Sequence, residues 1–69
     1  MFVVIELQFN SDSTVGNFVW SFDNENSALE KYYSVLAAAA NSAVYIHGAI
    51  MVNNDWVRES KFFKHESQE

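Results

Sequence analysis

Sixty-nine residues make one small domain, and a chain of this size buries only about 60% of its unfolded surface, so its core offsets the conformational entropy of folding by a narrow margin. No cysteine is present, which excludes disulfides and thiolate metal sites and leaves self-association as the remaining aid to stability. The net charge of −5 opposes binding to nucleic acid phosphates, and the 49% apolar content excludes a disordered chain.

The first element is a strand from Phe2 to Phe9. Period-two alternation puts Val3, Ile5, Leu7 and Phe9 on one face, and Phe2, Val4, Glu6 and Gln8 on the other. The short polar residues Asn10 to Thr14 then make a loop, which turns the chain into a hairpin. A second strand follows from Val15 to Phe22. Phe18, Trp20 and Phe22 form its aromatic face, the better candidate for the core, and Gly16 is expected to mark a bulge or a close backbone approach.

Asp23 to Asn41 carries the helical period. Asp23 or Asn24 caps its start, and Ala28, Leu29, Tyr32, Val35, Leu36, Ala39 and Ala40 gather into one stripe. Asn41 suits the left-handed turn that ends many helices. A third strand, about Ala43 to Val52, is apolar on both faces, the pattern of a strand buried on both sides. Asn53, Asn54 and Asp55 form a turn into a fourth strand, Trp56 to about Phe63, in which neither face is clean.

The order is β-β-α-β-β. It predicts an α+β domain over residues 1–64, a four-stranded, mainly antiparallel sheet with one helix packed on one face, and a polar tail over 65–69. The helix–sheet core is expected from Val3, Ile5, Leu7, Phe18, Trp20, Leu29, Tyr32, Val35, Leu36, Ala39, Val44, Ile46 and Ile50. A single helix about 25 Å long and 10 Å wide covers one face of such a sheet and not the other. The uncovered face, expected to bear Phe2, Val4, Val15, Val19, Tyr45, His47, Ala49, Met51, Val57 and Phe63, is the candidate interface, and a homodimer or larger oligomer is expected on it or on an exposed edge strand.

No motif carries chemistry. The two glycines rule out a glycine-rich phosphate loop, and no zinc pattern occurs. His47, weighed against Ser42 and Ser60, lacks an orienting carboxylate at a telling spacing and reads as a hydrogen-bonded sheet residue; His65 reads as a solvated tail residue. No catalytic, cofactor or metal residue is therefore expected. The apolar start Met1 to Ile5 is interrupted by Glu6 and has no basic lead, so no export or membrane signal is read and the cytoplasm is the expected location.

Several stretches together resemble a group of short uncharacterised proteins encoded by phages and prophages of gut Firmicutes. These are Met1-Phe2-Val3-Val4-Ile5-Glu6; Phe22-Asp23 leading to Lys31-Tyr32 and Val35-Leu36-Ala37-Ala38-Ala39-Ala40; then Val44, His47, Ala49, Met51 and the late His65-Glu66. The chain departs from that group in lacking a proline before the histidine, where Tyr45 and Ile46 stand. The resemblance implies a small accessory protein in a bacterial host cell and brings no activity with it. Expected partners are a second copy and a phage or host protein. The expected role is inhibition of a host defence protein, which the acidic balance favours, or assembly of the phage head or tail.

Overall fold

In a computed structural model, which describes residues 1–65, four antiparallel strands and one helix form an α+β fold in the order β1 (Phe2–Phe9), β2 (Val15–Phe22), α1 (Glu25–Ala40), β3 (Ile46–Asn53) and β4 (Trp56–Lys64). The sheet order is β2-β1-β3-β4, so each hairpin supplies one central and one edge strand. Residues 66–69, the rest of the expected tail, lie outside the described residues. Among the described residues no helix is long and apolar enough to cross a membrane.

Local chemistry accounts for the boundaries. Asp12 accepts from the Thr14 N–H (3.0 Å) and hydroxyl (2.6 Å), and Ser13 takes φ 77°, closing the first hairpin. Asn24 is the residue that caps α1, its Oδ1 accepting from Ser27 N–H at 2.8 Å. At the other end Asn41 caps without the left-handed conformation, at φ −109°; its backbone N–H reaches the Ala38 carbonyl and its Nδ2 the Ala37 carbonyl. The second hairpin turns at Asn54, φ 58°.

The helix lies chiefly over β3 and β1, and this decides which face is covered. The buried cluster is Val4, Ala28, Tyr32, Val35, Ala49 and Met51, with Phe2, Trp20, Phe22, Leu29 and Leu36 packed against it. Alternation therefore has the opposite phase to the one expected on both central strands. Val4, Ala49, Met51 and His47, expected on the uncovered face, lie beneath the helix, and Phe2 packs there too. Val3, Ile5, Leu7, Ile46 and Ile50, expected in the helix–sheet core, lie on the uncovered face. Two physical causes appear. Ala49 and Met51 of β3 pack in one buried cluster with Ala28, Tyr32 and Val35 of α1; Glu6 and His47 on this same face satisfy one another.

Two further expectations change. Gly16 marks no bulge and has nothing within 4 Å of its missing side chain. Gly48 is the close approach, because a Cβ there would strike the Lys61 carbonyl oxygen and the Phe62 ring and Cα. The bulge instead lies in β4, between the Met51–Glu59 and Val52–Val57 pairs, leaving Arg58 as the extra residue. This shift of phase is why no single alternation fits that strand.

Candidate interaction surface

The register places four rows across the uncovered face: Ser21, Val3, Val52, Val57; Val19, Ile5, Ile50, Ser60; Asn17, Leu7, Gly48, Phe62; and Val15, Phe9, Ile46, Lys64. Lys64 at one corner is the one charged residue of these rows. Val15, Val19, Val57 and Phe62 are exposed, and Val19 is 61% open to solvent. The Phe62 ring roofs Gly48, filling what would otherwise be a dent in the middle of the face. Strand spacing and rise give a face about 19 Å by 26 Å, or about 500 Å². That equals the largest apolar patch a monomer usually shows.

The helix-covered rows are more polar. They are Phe22, Phe2, Asn53, Trp56; Trp20, Val4, Met51, Glu59; Phe18, Glu6, Ala49, Lys61; and Gly16, Gln8, His47, Phe63. The sheet turns its more apolar face away from its own helix.

Of the other expected residues, Tyr32, Val35 and Ala39 are buried and Leu29, Leu36 and Trp20 are half-buried. Phe18 is 54% exposed, because the helix leaves β2 largely uncovered, and stacks on Trp20 with 6.0 Å between ring centroids. Val44 and Tyr45 precede β3 in the connection from α1. Phe63 belongs to a helix-covered row. Val15, Val19 and Val57 alone of the expected interface keep their place on the uncovered face.

Beneath the helix C-terminus is a polar cluster that sequence reading missed. His47 Nε2–H donates to Glu6 Oε2 at 2.5 Å, His47 Nδ1 lies 3.0 Å from Ser42 Oγ, and Gln8 Nε2 donates to the same Glu6 oxygen at 3.2 Å. Glu6 is the orienting carboxylate that no local spacing reveals, since 41 residues separate it from His47. One signal was available: a histidine inside an apolar strand needs a buried partner, and Glu6 and Gln8 are the polar interruptions of β1. Serine, histidine and carboxylate in a row have the connectivity of a nucleophile relay. Here the imidazole is 4% exposed and Ser42 Oγ already accepts from Val44 N–H at 3.0 Å. Bonded at both ring nitrogens, His47 ties Ser42 of the α1–β3 connection to Glu6 of the sheet.

One cleft runs along the helix and another opens beside the first hairpin loop. A shallow groove of about 510 Å³ between α1 and β2 is lined by Phe22, Ser27, Glu30, Lys31 and Ser34, with Lys31 Nζ 4.5 Å from the Trp20 ring centroid. A polar cleft of about 290 Å³ is lined by Asn10, Ser11, Asp12, Thr14, Ala43, Tyr45 and His65. The Thr14 hydroxyl and N–H hold the Asp12 carboxyl below its ordinary range. His65 is docked rather than solvated, its Nε2–H donating to the Ala39 carbonyl at 2.7 Å, where the helix has run out of its own donors. Burial, reinforced by the Glu59 carboxylate and by Tyr33, pushes the Tyr32 phenol up from 10.0. Among the described residues no three histidine, aspartate or glutamate side chains gather to hold a metal ion.

Compared with protein-family models, with curated proteins and with solved structures, the chain finds no match.

Proposed function

We propose that this protein is a non-enzymatic accessory protein that acts by binding other protein, including itself, and that the uncovered sheet face makes the contact with its partner. The observation that carries the reading is the inversion of the sheet. Large β-branched and aliphatic residues fill the solvent-facing rows, while Glu6, Gln8, His47, Glu59 and Lys61 share the helix-covered side. Burying Val3, Ile5, Leu7, Ile46, Ile50 and Val52 against another chain desolvates no carboxylate. At about 25 cal/mol per Å² of apolar surface, that is the strongest binding term the molecule has to offer.

Among the described residues the acids do not form a phosphate-like track. Asp12 sits in the first hairpin loop, Glu6 under the helix, Glu25 against Arg58 at the helix start, and Asp55 in the second turn. A partner is therefore met through shape and apolar contact rather than through imitation of nucleic acid, and binding to nucleic acid itself is disfavoured by the charge balance. The resemblance to phage and prophage proteins supplies the setting. Inhibition of a host defence protein is the leading role within it, and service in head or tail assembly the alternative.

Capture from infected-host lysate tests the reading when wild type is compared with two variants. Val57→Lys charges the uncovered face at an exposed site, and Ala37→Lys charges the outer face of the helix, away from both clefts. A protein held by wild type and by Ala37→Lys but lost by Val57→Lys is the expected result. Retention of every captured protein by Val57→Lys would refute it. Whether that protein is a defence component or a virion component then decides between the two roles.

A further inference from the structure

The two edges of the sheet are built differently. β4 carries Arg58, Glu59, Lys61 and Lys64 and is broken by the bulge, which are the devices that keep an edge strand from pairing with another chain. β2, Val-Gly-Asn-Phe-Val-Trp-Ser-Phe, has eight residues, no charge, no proline and no bulge. Among the described residues no strand neighbours its outer backbone groups, since β2 ends the sheet.

We infer that β2 is the self-association edge, and that it pairs antiparallel with β2 of a second copy about a two-fold axis through Val19. A two-fold axis perpendicular to the sheet keeps faces matched, so both helices lie on one side and both uncovered faces on the other. The register centred on Val19 opposes like with like over residues 17–21. Phe18 stands opposite the second copy's Trp20, Asn17 opposite its Ser21, and Val19 opposite its Val19, pairs of the kind that stabilise antiparallel strands. Gly16 stands opposite Phe22 of the second copy, and the space above Gly16 is empty to 4 Å, room for that ring. The exposed Phe18 and the groove floored by Phe22 both lie along this edge, so the aromatic rows of the two copies cover each other where α1 does not reach.

A second copy fits better than an unrelated strand because the edge is neutral. A chain of net charge −5 repels its own copies over most of its surface, and no carboxylate lies within Val15–Phe22 to add to that repulsion. The pairing also completes the uncovered face. One copy offers about 500 Å², short of the roughly 800 Å² per partner of a standard interface; two copies in one eight-stranded sheet offer about 1,000 Å². That consequence rests on the proposed function, whereas the pairing itself does not.

Cross-linking and mass separate the two. The chain has no cysteine, so Val19→Cys places a single thiol at the axis, and Val57→Cys a single thiol of equal exposure on the far edge. Under mild oxidation at tens of micromolar, Val19→Cys is expected to form the disulfide dimer at least tenfold faster than Val57→Cys. Phe18→Lys, at an exposed helix-side position, is expected to halve the mass by light scattering with an unchanged circular dichroism spectrum. Val57→Lys is expected to keep the dimer mass while losing partner capture. Equal cross-linking rates, a Phe18→Lys variant that stays dimeric, or a monomeric wild type would each overturn the pairing. Loss of the dimer in Val57→Lys alone would overturn it in favour of face-to-face packing.

Discussion

Replacing each glycine by alanine is a controlled pair of perturbations, because both lie in strands, neither has positive φ, and only their surroundings differ. At Gly48 an added Cβ lies inside the 3.0 Å that real Cβ atoms keep from three atoms: the Lys61 carbonyl oxygen, Phe62 Cδ1 and, at 2.7 Å, Phe62 Cα. Two of the three are backbone, so relief requires β4 to move away from β3 and not merely a ring to turn. Overpacking of this kind costs about 1–3 kcal/mol, and the backbone contacts place Gly48→Ala at the upper end, about 3 kcal/mol before a gain of about 0.5–1 kcal/mol from stiffening the unfolded chain. The net loss of about 2–2.5 kcal/mol lowers Tm by about 8–20 °C in a domain of this size. Gly16→Ala meets nothing within 4 Å in its own chain and keeps the gain, so at dilutions where the chain is monomeric it raises stability by about 0.5–1 kcal/mol. Urea melts followed by circular dichroism measure both. Equal stabilities for the two alanine variants would refute the claim that Phe62 and β4 close over Gly48.

Further outcomes follow from the same contacts. Glu6→Ala strands the His47 Nε2–H at a site 4% exposed and is expected to cost about 1–3 kcal/mol, with less than the additive loss when His47 is also replaced; urea melts of the double-mutant cycle measure the coupling. Asn24→Ala removes the helix cap and is expected to lower stability by about 1 kcal/mol, whereas Asp23→Ala changes it little, since Asn24 is the residue bonded to Ser27. Tyr32 holds its proton more tightly folded than unfolded, so its contribution is complete below pH 10.0 and is lost as pH rises above it; urea midpoints from pH 8 to 11 should fall for wild type and flatten in Tyr32→Phe.

Most of the architecture was legible because element type depends on local pattern. The helix had its stripe and its asparagine caps, and the hairpins had their polar turns at Asn10–Thr14 and Asn54. Face assignment depends instead on which side the helix docks. On β1 the cleaner row, Val3, Ile5, Leu7 and Phe9, looks like a core row by every local measure. Docking was decided elsewhere, by the packing of Ala49 and Met51 with Ala28, Tyr32 and Val35 of α1 and by a Glu6–His47 pair joined only through strand register. On β4, the bulge at Arg58 shifted the phase midway, placing Val57 and Phe62 on one face although they differ in parity. The inverted face is thus where local pattern and tertiary structure disagree, and such conflicts mark surfaces shaped by something other than the chain's own folding.

Light scattering on the wild-type chain at tens of micromolar tests most directly whether a second copy covers part of the apolar surface that the helix leaves open. A mass of twice 7.9 kDa, falling toward 7.9 kDa on dilution, is the expected result. A mass of 7.9 kDa at every concentration would contradict it.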